Sequence, residues 1–315
     1  MTRPTKSDVA GARYLALRRL GQQTGRTTAE LLQLYALEGF LARLAASVLR
    51  DRFVLKGGML LAAFDARRPT RDVDLLALRV SADAEAVRVL IHDVARVALD
   101  DGLVFDLEET RVEAIRDDDV YPGVRVTLHA MLATARLVFH VDINVGDPVW
   151  PPPEDVRVPR LLSSEPLVVR GYPIAMVLAE KLVTVLQRGT ANTRWRDFAD
   201  LYLLAHGHVV EGAVLGRAAA EVATYRAVVG RDFGSAVSGF DVLGQAGWHA
   251  WRRRQRLEDR LPEAFSDALA VVVRLGSGAV SEEAAGLRWN PEHLEWRVAR
   301  QSEDALDAAS DNLQG

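Results

Sequence analysis

Asp72 and Asp74, separated by one residue, have the clearest capacity for chemistry in this chain. On a strand both carboxylates would point to the same face, about 6.6 Å apart at roughly 3.3 Å per residue. Such a pair can bind one divalent cation, or share two cations about 3.5–4 Å apart. The apolar neighbours Val73, Leu75 and Leu76 favour that strand. Paired aspartates are also common at solvated strand ends, so the metal-site prediction depends on the sequence around them.

A glycine pair precedes this strand, in the sequence Lys56-Gly57-Gly58. Glycine has no Cβ, so a phosphate can approach the backbone closely at Gly57 and Gly58. We expect a helix over the apolar run 59–64, with its N-terminus facing that phosphate. The order of strand, Gly-Gly, helix and acidic strand resembles the layout of nucleotidyltransferases of the polymerase-β type.

A third carboxylate is expected on a neighbouring strand, to accept a proton from an attacking hydroxyl or to bind the metal. Residues 136–145 alternate like a strand and place His140, Asp142 and Asn144 on one face. Asp142 is therefore the candidate for this role. A carboxylate on a solvated sheet face is the alternative interpretation.

Two helices further along the chain offer a cation and another carboxylate. Lys181 lies off the apolar stripe of the predicted helix 174–187, and Asp197 begins the predicted helix 196–204. A lysine directed at a triphosphate offsets the charge that builds on the leaving group. The alternatives are a surface lysine paired with Glu180 or Asp197, and an aspartate favoured at a helix N-terminus by the macrodipole.

The composition predicts an ordinary globular protein. The chain has 315 residues, 49% of them hydrophobic, with a net charge of −4 and no cysteine. Disulfides, thiol nucleophiles and cysteine-based zinc sites are therefore excluded. No apolar run reaches the roughly 18–20 residues that span a bilayer, and residues 1–8 lack the apolar core of a signal peptide. We expect a cytoplasmic protein without membrane contact.

The pattern along the chain predicts an α/β (α+β) fold in two domains, with the boundary near Pro166. Residues 1–165 would form a mixed sheet with an N-terminal layer of two helices, and residues 166–315 a helical domain that completes the active site. The other predicted elements are strands at 53–56, 72–78 and 104–107, a helix at 84–99, an acidic loop at 117–119, and a hairpin of 124–131 with 136–145.

Four motifs, in this order, resemble the AbiEii/AbiGii (MenT-type) toxin family of nucleotidyltransferases. The motifs are RFVLKGGML at 52–60, RPTRDVDL at 68–75, VDINVGD at 141–147, and EKL followed by RDFADLY within 180–202. The resemblance implies that Lys56, Gly57, Gly58 and Lys181 bind the nucleotide, that Asp72 and Asp74 bind Mg²⁺ (or Mn²⁺), and that Lys181 and Asp197 are catalytic. Asp142 would join the metal ligands.

Thr70 and Met59 depart from the family pattern. Thr70 stands where many members have serine, whose hydroxyl is implicated in activity and is phosphorylated in some members by a kinase-like antitoxin. Threonine can form the same hydrogen bonds, so Thr70 is counted among the catalytic residues. Met59 replaces a threonine found in many members, which removes a hydroxyl near the phosphate.

The resemblance implies a toxin that moves NMP from an NTP to the 3′ end of tRNA, which blocks aminoacylation and translation. Its expected partners are the acceptor tRNA and a cognate antitoxin encoded nearby. The sequence leaves open a protein or small-molecule acceptor, and also a non-catalytic nucleotide-binding partner of an antitoxin. Residues 248–256 (WHAWRRRQR) could contact an RNA backbone, or could form a helix with a core tryptophan and a solvated basic face.

Overall fold

A computed structural model describes residues 4–115, 123–228, 230–281 and 283–298. The chain divides into two units, Met1–Pro173 and Ile174–Gly315. The sequence placed the boundary near Pro166, before the last strand of the first unit. That strand, Leu167–Gly171, pairs with two strands of the large sheet, which moves the boundary to Pro173. The predicted acidic loop at 117–119 lies outside the described residues.

The first unit begins with two helices, α1 (Val9–Thr24) and α2 (Thr28–Ala46). Each is capped at its N-terminus by a side chain that accepts a backbone hydrogen bond, Asp8 from Gly11 and Thr27 from Glu30. Such caps satisfy amide groups that have no partner within the helix. Helix α2 is buried along most of its length, because it packs on the large sheet.

The remaining elements of this unit alternate between strands and short helices. They are β1 (Phe53–Lys56), α3 (Gly57–Leu60), a 3-10 helix (Leu61–Phe64), β2 (Asp72–Ala77), α4 (Ala84–Ala95), β3 (Leu103–Ile115), β4 (Gly123–Leu132), β5 (Ala135–Val145), β6 (Glu154–Val158) and β7 (Leu167–Gly171). The predicted helix over 59–64 is therefore one α-turn that begins at Gly57 and tightens into a 3-10 turn. Strands β6 and β7 were not predicted.

The strands form one seven-stranded sheet in the order β3-β4-β5-β2-β1-β7-β6. Strand β2 runs parallel to β5 and β1 runs parallel to β7, while the other neighbours are antiparallel. Helices α1, α2 and α4 pack on this sheet, against the face that carries buried Val126 and Leu128. The predicted α/β class with a mixed sheet and N-terminal helices is confirmed. The opposite face carries the polar residues of the candidate site.

The second unit is mainly helical. It contains α5 (Ile174–Arg188), α6 (Trp195–Gly207), β8 (Val210–Glu211), α7 (Gly212–Tyr225), α8 (Phe233–Ala236), α9 (Phe240–Gln255), α10 (Phe265–Val280), β9 (Leu287–Asn290) and β10 (Glu295–Val298). The three strands form a small sheet in the order β10-β9-β8, which the sequence pattern did not predict. No helix among the described residues is long and apolar enough to span a membrane.

Trp248, on α9, belongs to the aromatic core of the second unit. It is fully buried beside Phe265, and its indole Nε1 donates a 3.0 Å hydrogen bond to the carbonyl of Pro262. Its ring therefore has no face free to stack on a base. Of the two interpretations of residues 248–256, the structure supports the helix with a core tryptophan.

A buried ion pair joins α2 to the start of β3. Arg43 Nη1 lies 2.5 Å from Asp101 Oδ2, Arg43 Nη2 lies 3.1 Å from Asp101 Oδ1, and both side chains are buried. Asp101 also accepts a hydrogen bond from the amide of Leu103. Removal of one partner from such a pair leaves an uncompensated charge in the interior.

We predict that Asp101→Ala lowers the free energy of unfolding by about 3–5 kcal/mol. Asp93→Ala is the control, because Asp93 forms an exposed pair with Arg96 that contributes about 0–1 kcal/mol. Urea unfolding, followed by circular dichroism, measures both. Equal losses in the two variants would contradict the assignment of the Arg43–Asp101 pair to the folding core.

Candidate active site

Three carboxylates meet on the open face of the large sheet. The parallel register of β2 and β5 places Asp74 beside Asp142 and Asp72 beside His140. One oxygen from each of Asp72, Asp74 and Asp142 lies within 4.8 Å of the others. The structure therefore brings together the three residues that the sequence proposed as metal ligands.

This cluster fits a divalent cation of the Mg²⁺ type by the chemistry of its donors. Such cations prefer oxygen ligands and are commonly bound through one or two carboxylates together with substrate phosphates. Asp72 and Asp74 are half-buried, which leaves room for a ligand beside them, whereas Asp142 is buried. The site thus presents two accessible carboxylates, those of Asp72 and Asp74, beside the buried carboxylate of Asp142.

Thr70 lies at the entrance to strand β2 and orients the first carboxylate. Its hydroxyl donates a 2.6 Å hydrogen bond to Asp72 Oδ1. A bond to an ionised acceptor is stronger than a neutral one, so it fixes the rotamer of the carboxylate. Thr70 contacts the cluster through Asp72, as its position two residues earlier in the sequence suggested.

The glycine pair is required by neighbouring side chains. Gly57 has φ +65°, and a Cβ added there would lie 1.8 Å from Asp74 Oδ2. A Cβ on Gly58 would lie 2.6 Å from Thr70 Oγ1. The amide of Gly58 also donates a weak 3.4 Å hydrogen bond to Asp74 Oδ2. The close approach that glycine permits here is thus, in the first place, that of Asp74 and Thr70.

Lys56 is held in an ion pair beside the carboxylates. It lies opposite Asp74 in the pairing of β1 with β2, and its Nζ is 2.8 Å from Asp147 Oδ2. Both side chains of this pair are largely buried, and Nζ lies 5.6 Å from the ring centroid of Tyr172. Asp147 ends the third family motif, but no role was predicted for it.

Arg125 is a further site residue that was not predicted from the sequence. It lies on β4 directly opposite Asp142 and forms two hydrogen bonds with it, Nε to Oδ1 at 2.8 Å and Nη2 to Oδ2 at 2.7 Å. These hydrogen bonds raise the pKa of Arg125 above its ordinary value, against the opposing effect of desolvation. The alternation of residues 124–131 could have identified Arg125, once the hairpin register was known.

The second unit holds its own charged cluster. Lys181 on α5 donates hydrogen bonds to Asp197 Oδ1 at 3.1 Å and to Asp200 Oδ2 at 2.7 Å, both on α6. Arg194 Nε lies 3.0 Å from Asp197 Oδ2, without the alignment of a hydrogen bond. The sequence anticipated the Lys181–Asp197 pair as an alternative to catalysis, and Asp200 is a second acceptor that was not predicted.

Asp197 remains ionised although it is fully buried. Burial acts to raise the pKa of its carboxyl, but the cations of Lys181, Arg194 and Arg196 outweigh burial, so the pKa is lowered. An aspartate inside a protein normally needs such partners to keep its charge. Asp197 is therefore ionised at neutral pH and accepts a hydrogen bond from Lys181 Nζ.

Comparisons with known proteins identify the family. A family model described as nucleotidyl transferase AbiEii toxin, type IV TA system, matches residues 39–272. Two solved structures from Helicobacter pylori are similar at 13% identity: JHP933, with a TM-score of 0.49, and a candidate nucleotidyltransferase, with a TM-score of 0.46. Each alignment covers 82% of this chain, and 95% and 98% of the respective neighbour. No curated protein sequence matches significantly.

We predict that Gly57→Ala displaces Asp74 and weakens Mn²⁺ binding by at least about tenfold. The added methyl group would occupy the space of the Asp74 carboxylate, in a backbone conformation that already costs roughly 1–2 kcal/mol for alanine. Gly25→Ala is the matched control, because Gly25 has φ +70° and nothing within 4 Å of the added Cβ. Both variants are titrated with MnCl₂ and followed by electron paramagnetic resonance. The control carries the same backbone strain, so the difference between the two affinities reports the displacement of Asp74. Equal Mn²⁺ affinity in both variants would contradict this account.

We further predict that Lys181→Met lowers the free energy of unfolding at pH 7 by about 3–5 kcal/mol, because buried carboxylates lose their cation. The folded pKa of Asp197 is lowered, so its contribution in the wild type is present above the unfolded pKa of about 3.9 and is lost as the pH falls through the folded value. The difference in the free energy of unfolding between variant and wild type should therefore become smaller as the pH falls. Urea unfolding between pH 7 and pH 3 measures it, with Lys181→Arg as the charge-preserving control; a deficit independent of pH would refute the pairing.

Proposed function

Because the chain belongs to the AbiEii nucleotidyl transferase toxin family of type IV toxin–antitoxin systems, we propose that it transfers NMP from an NTP to the 3′-hydroxyl of tRNA. The observation that carries the proposal is the convergence of Asp72, Asp74 and Asp142 beside a glycine pair. Nucleotidyl transfer needs such a group of oxygen ligands next to backbone that a phosphate can approach.

The proposed reaction is a displacement at the α-phosphorus of the NTP. The acceptor hydroxyl oxygen forms the new bond to the α-phosphorus, and the bond from the α-phosphorus to the oxygen that bridges to the β-phosphate breaks. Pyrophosphate leaves with that oxygen, and the hydroxyl proton passes to solvent water. Asp72, Asp74 and Asp142 would hold Mg²⁺, or Mn²⁺ in its place. When bound, the metal polarises the phosphate and lowers the pKa of the attacking hydroxyl.

The residues around the carboxylates have supporting roles in this proposal. Thr70 fixes the rotamer of Asp72 through its hydrogen bond, and Gly57 leaves space for Asp74. Lys56 supplies a positive charge at the end of β1, where the nucleotide phosphates are proposed to bind. The Asp147 carboxylate restricts the position of that charge.

Lys181 and Asp197 complete the proposed set of catalytic residues, by the match of the second unit to the family motif. A lysine that faces the leaving pyrophosphate stabilises charge that is present only in the transition state. Its hydrogen bonds to Asp197 and Asp200 support this role, because they restrict the position of a flexible side chain. Catalysis by Asp197 itself is proposed on the family match alone.

The biological setting follows from the family. The proposed acceptor, the 3′ end of tRNA, would become unable to accept an amino acid, and translation would stop. The proposed partner is an antitoxin encoded beside this chain, which would relieve the growth arrest.

We predict that Asp72→Asn lowers nucleotide transfer by roughly 10²–10⁴-fold, because metal binding provides several kcal/mol of transition-state stabilisation. The assay incubates the full chain with total tRNA and each α-³²P-labelled NTP in turn, in MgCl₂. Asp93→Asn, a surface change of the same kind, should leave the rate unchanged.

Three outcomes separate the possible acceptors. The proposal is supported if the wild type labels the tRNA band and Asp72→Asn does not. Label only in protein or in small molecules would keep the nucleotidyltransferase reaction and reject the tRNA acceptor. Label that persists in Asp72→Asn would reject the carboxylate cluster as the catalytic site.

A further inference from the structure

A row of charged side chains crosses the open face of the large sheet. The strand registers place Glu113, Arg125, Asp142, Asp74 and Lys56 side by side on β3, β4, β5, β2 and β1. Residues paired across neighbouring strands share a face of the sheet, so these charges act on one another. Within the row, Arg125 forms a direct ion pair with Asp142, a proposed metal ligand.

Arg125 engages both oxygens of Asp142. The guanidinium group forms the bidentate pair that matches a carboxylate best, with bonds of 2.8 and 2.7 Å. The field of Asp72 and Glu113 adds to that of Asp142 at this guanidinium. Arg125 is thus a permanent positive charge within the acidic cluster, whatever the pH.

Building on the proposed function, we propose that Arg125 occupies the place of a cation beside Asp142 while the site is metal-free, and so weakens the binding of free divalent cations. Three close carboxylates repel one another, and the guanidinium offsets part of that repulsion. The same charge repels an incoming metal ion. A metal bound to a triphosphate carries the negative charge of the nucleotide and is repelled less, so the site favours the metal–nucleotide complex over the free ion.

This role differs from that of a purely structural ion pair between β4 and β5. Such a pair would only hold Asp142 in its rotamer, and its loss would leave the metal affinity unchanged or lower. A compensating charge has the opposite effect, since its removal makes the site more negative and raises the affinity for a cation. The sign of the change in affinity therefore distinguishes the two roles.

The test is a titration of the full-length protein with MnCl₂ alone, in which electron paramagnetic resonance counts free Mn²⁺. We expect Arg125→Gln to bind Mn²⁺ about tenfold more tightly than the wild type, as expected for loss of a unit charge a few ångströms away. Arg125→Lys keeps the charge, so its Mn²⁺ affinity should remain within about threefold of that of the wild type. Arg136→Gln is the matched control, because Arg136 lies on the same sheet face but pairs with Glu109.

A second readout is the Mg²⁺ concentration that gives half-maximal nucleotide transfer, which should fall in Arg125→Gln. If Arg125→Gln does not fold, as judged by circular dichroism, Arg125→Met provides the same loss of charge with an apolar stem. Equal or weaker Mn²⁺ binding by the charge-removing variant, with an active wild type, would overturn the role of Arg125 alone. A wild type that transfers no nucleotide and binds no Mn²⁺ would instead overturn the proposed function.

Discussion

The repulsion among Asp72, Asp74 and Asp142 is the constraint on which the rest of the site depends. Their oxygens lie within 4.8 Å of one another, and like charges at that distance disfavour the folded state unless they are compensated. The parallel pairing of β2 with β5 forces them together, because it fixes Asp74 beside Asp142. Apolar packing beneath the sheet has to supply the free energy that maintains this pairing.

The compensation comes from three kinds of group, each suited to one carboxylate. Asp142, the most buried, is paired with the guanidinium of Arg125. Asp72 accepts a hydrogen bond from the hydroxyl of Thr70, and Asp74 lies against the backbone of the glycine turn, near the amide of Gly58. The carboxylate that pairs with the guanidinium is thus the most buried of the three, and Asp72 and Asp74 are more accessible. A ligand therefore reaches the cluster most directly on the side of Asp72 and Asp74.

The sequence predicted those elements and residues whose positions depend on the local residue pattern. Alternating apolar residues identified the hairpin of β4 and β5, and the Asp-x-Asp spacing placed Asp72 and Asp74 on one face of β2. It did not predict β6 and β7, because these short strands follow a proline-rich segment and depend on tertiary pairing: β7 pairs with distant β1, and β6 pairs with β7. Arg125 was missed for the same reason. Its importance lies in a partner 17 residues away, and cross-strand partners become visible only when the register is known.

The glycine pair and the Asp-x-Asp strand form one structural unit, although the sequence presents them as two motifs. The space that a Cβ would take at Gly57 is filled by the Asp74 carboxylate, and the corresponding space at Gly58 is filled by Thr70. A side chain at either position would therefore displace a residue of the acidic cluster before it met any ligand. The observed role of the glycines is thus to let Asp74 and Thr70 approach the backbone, and the proposed role in nucleotide binding depends on the cluster that this approach permits.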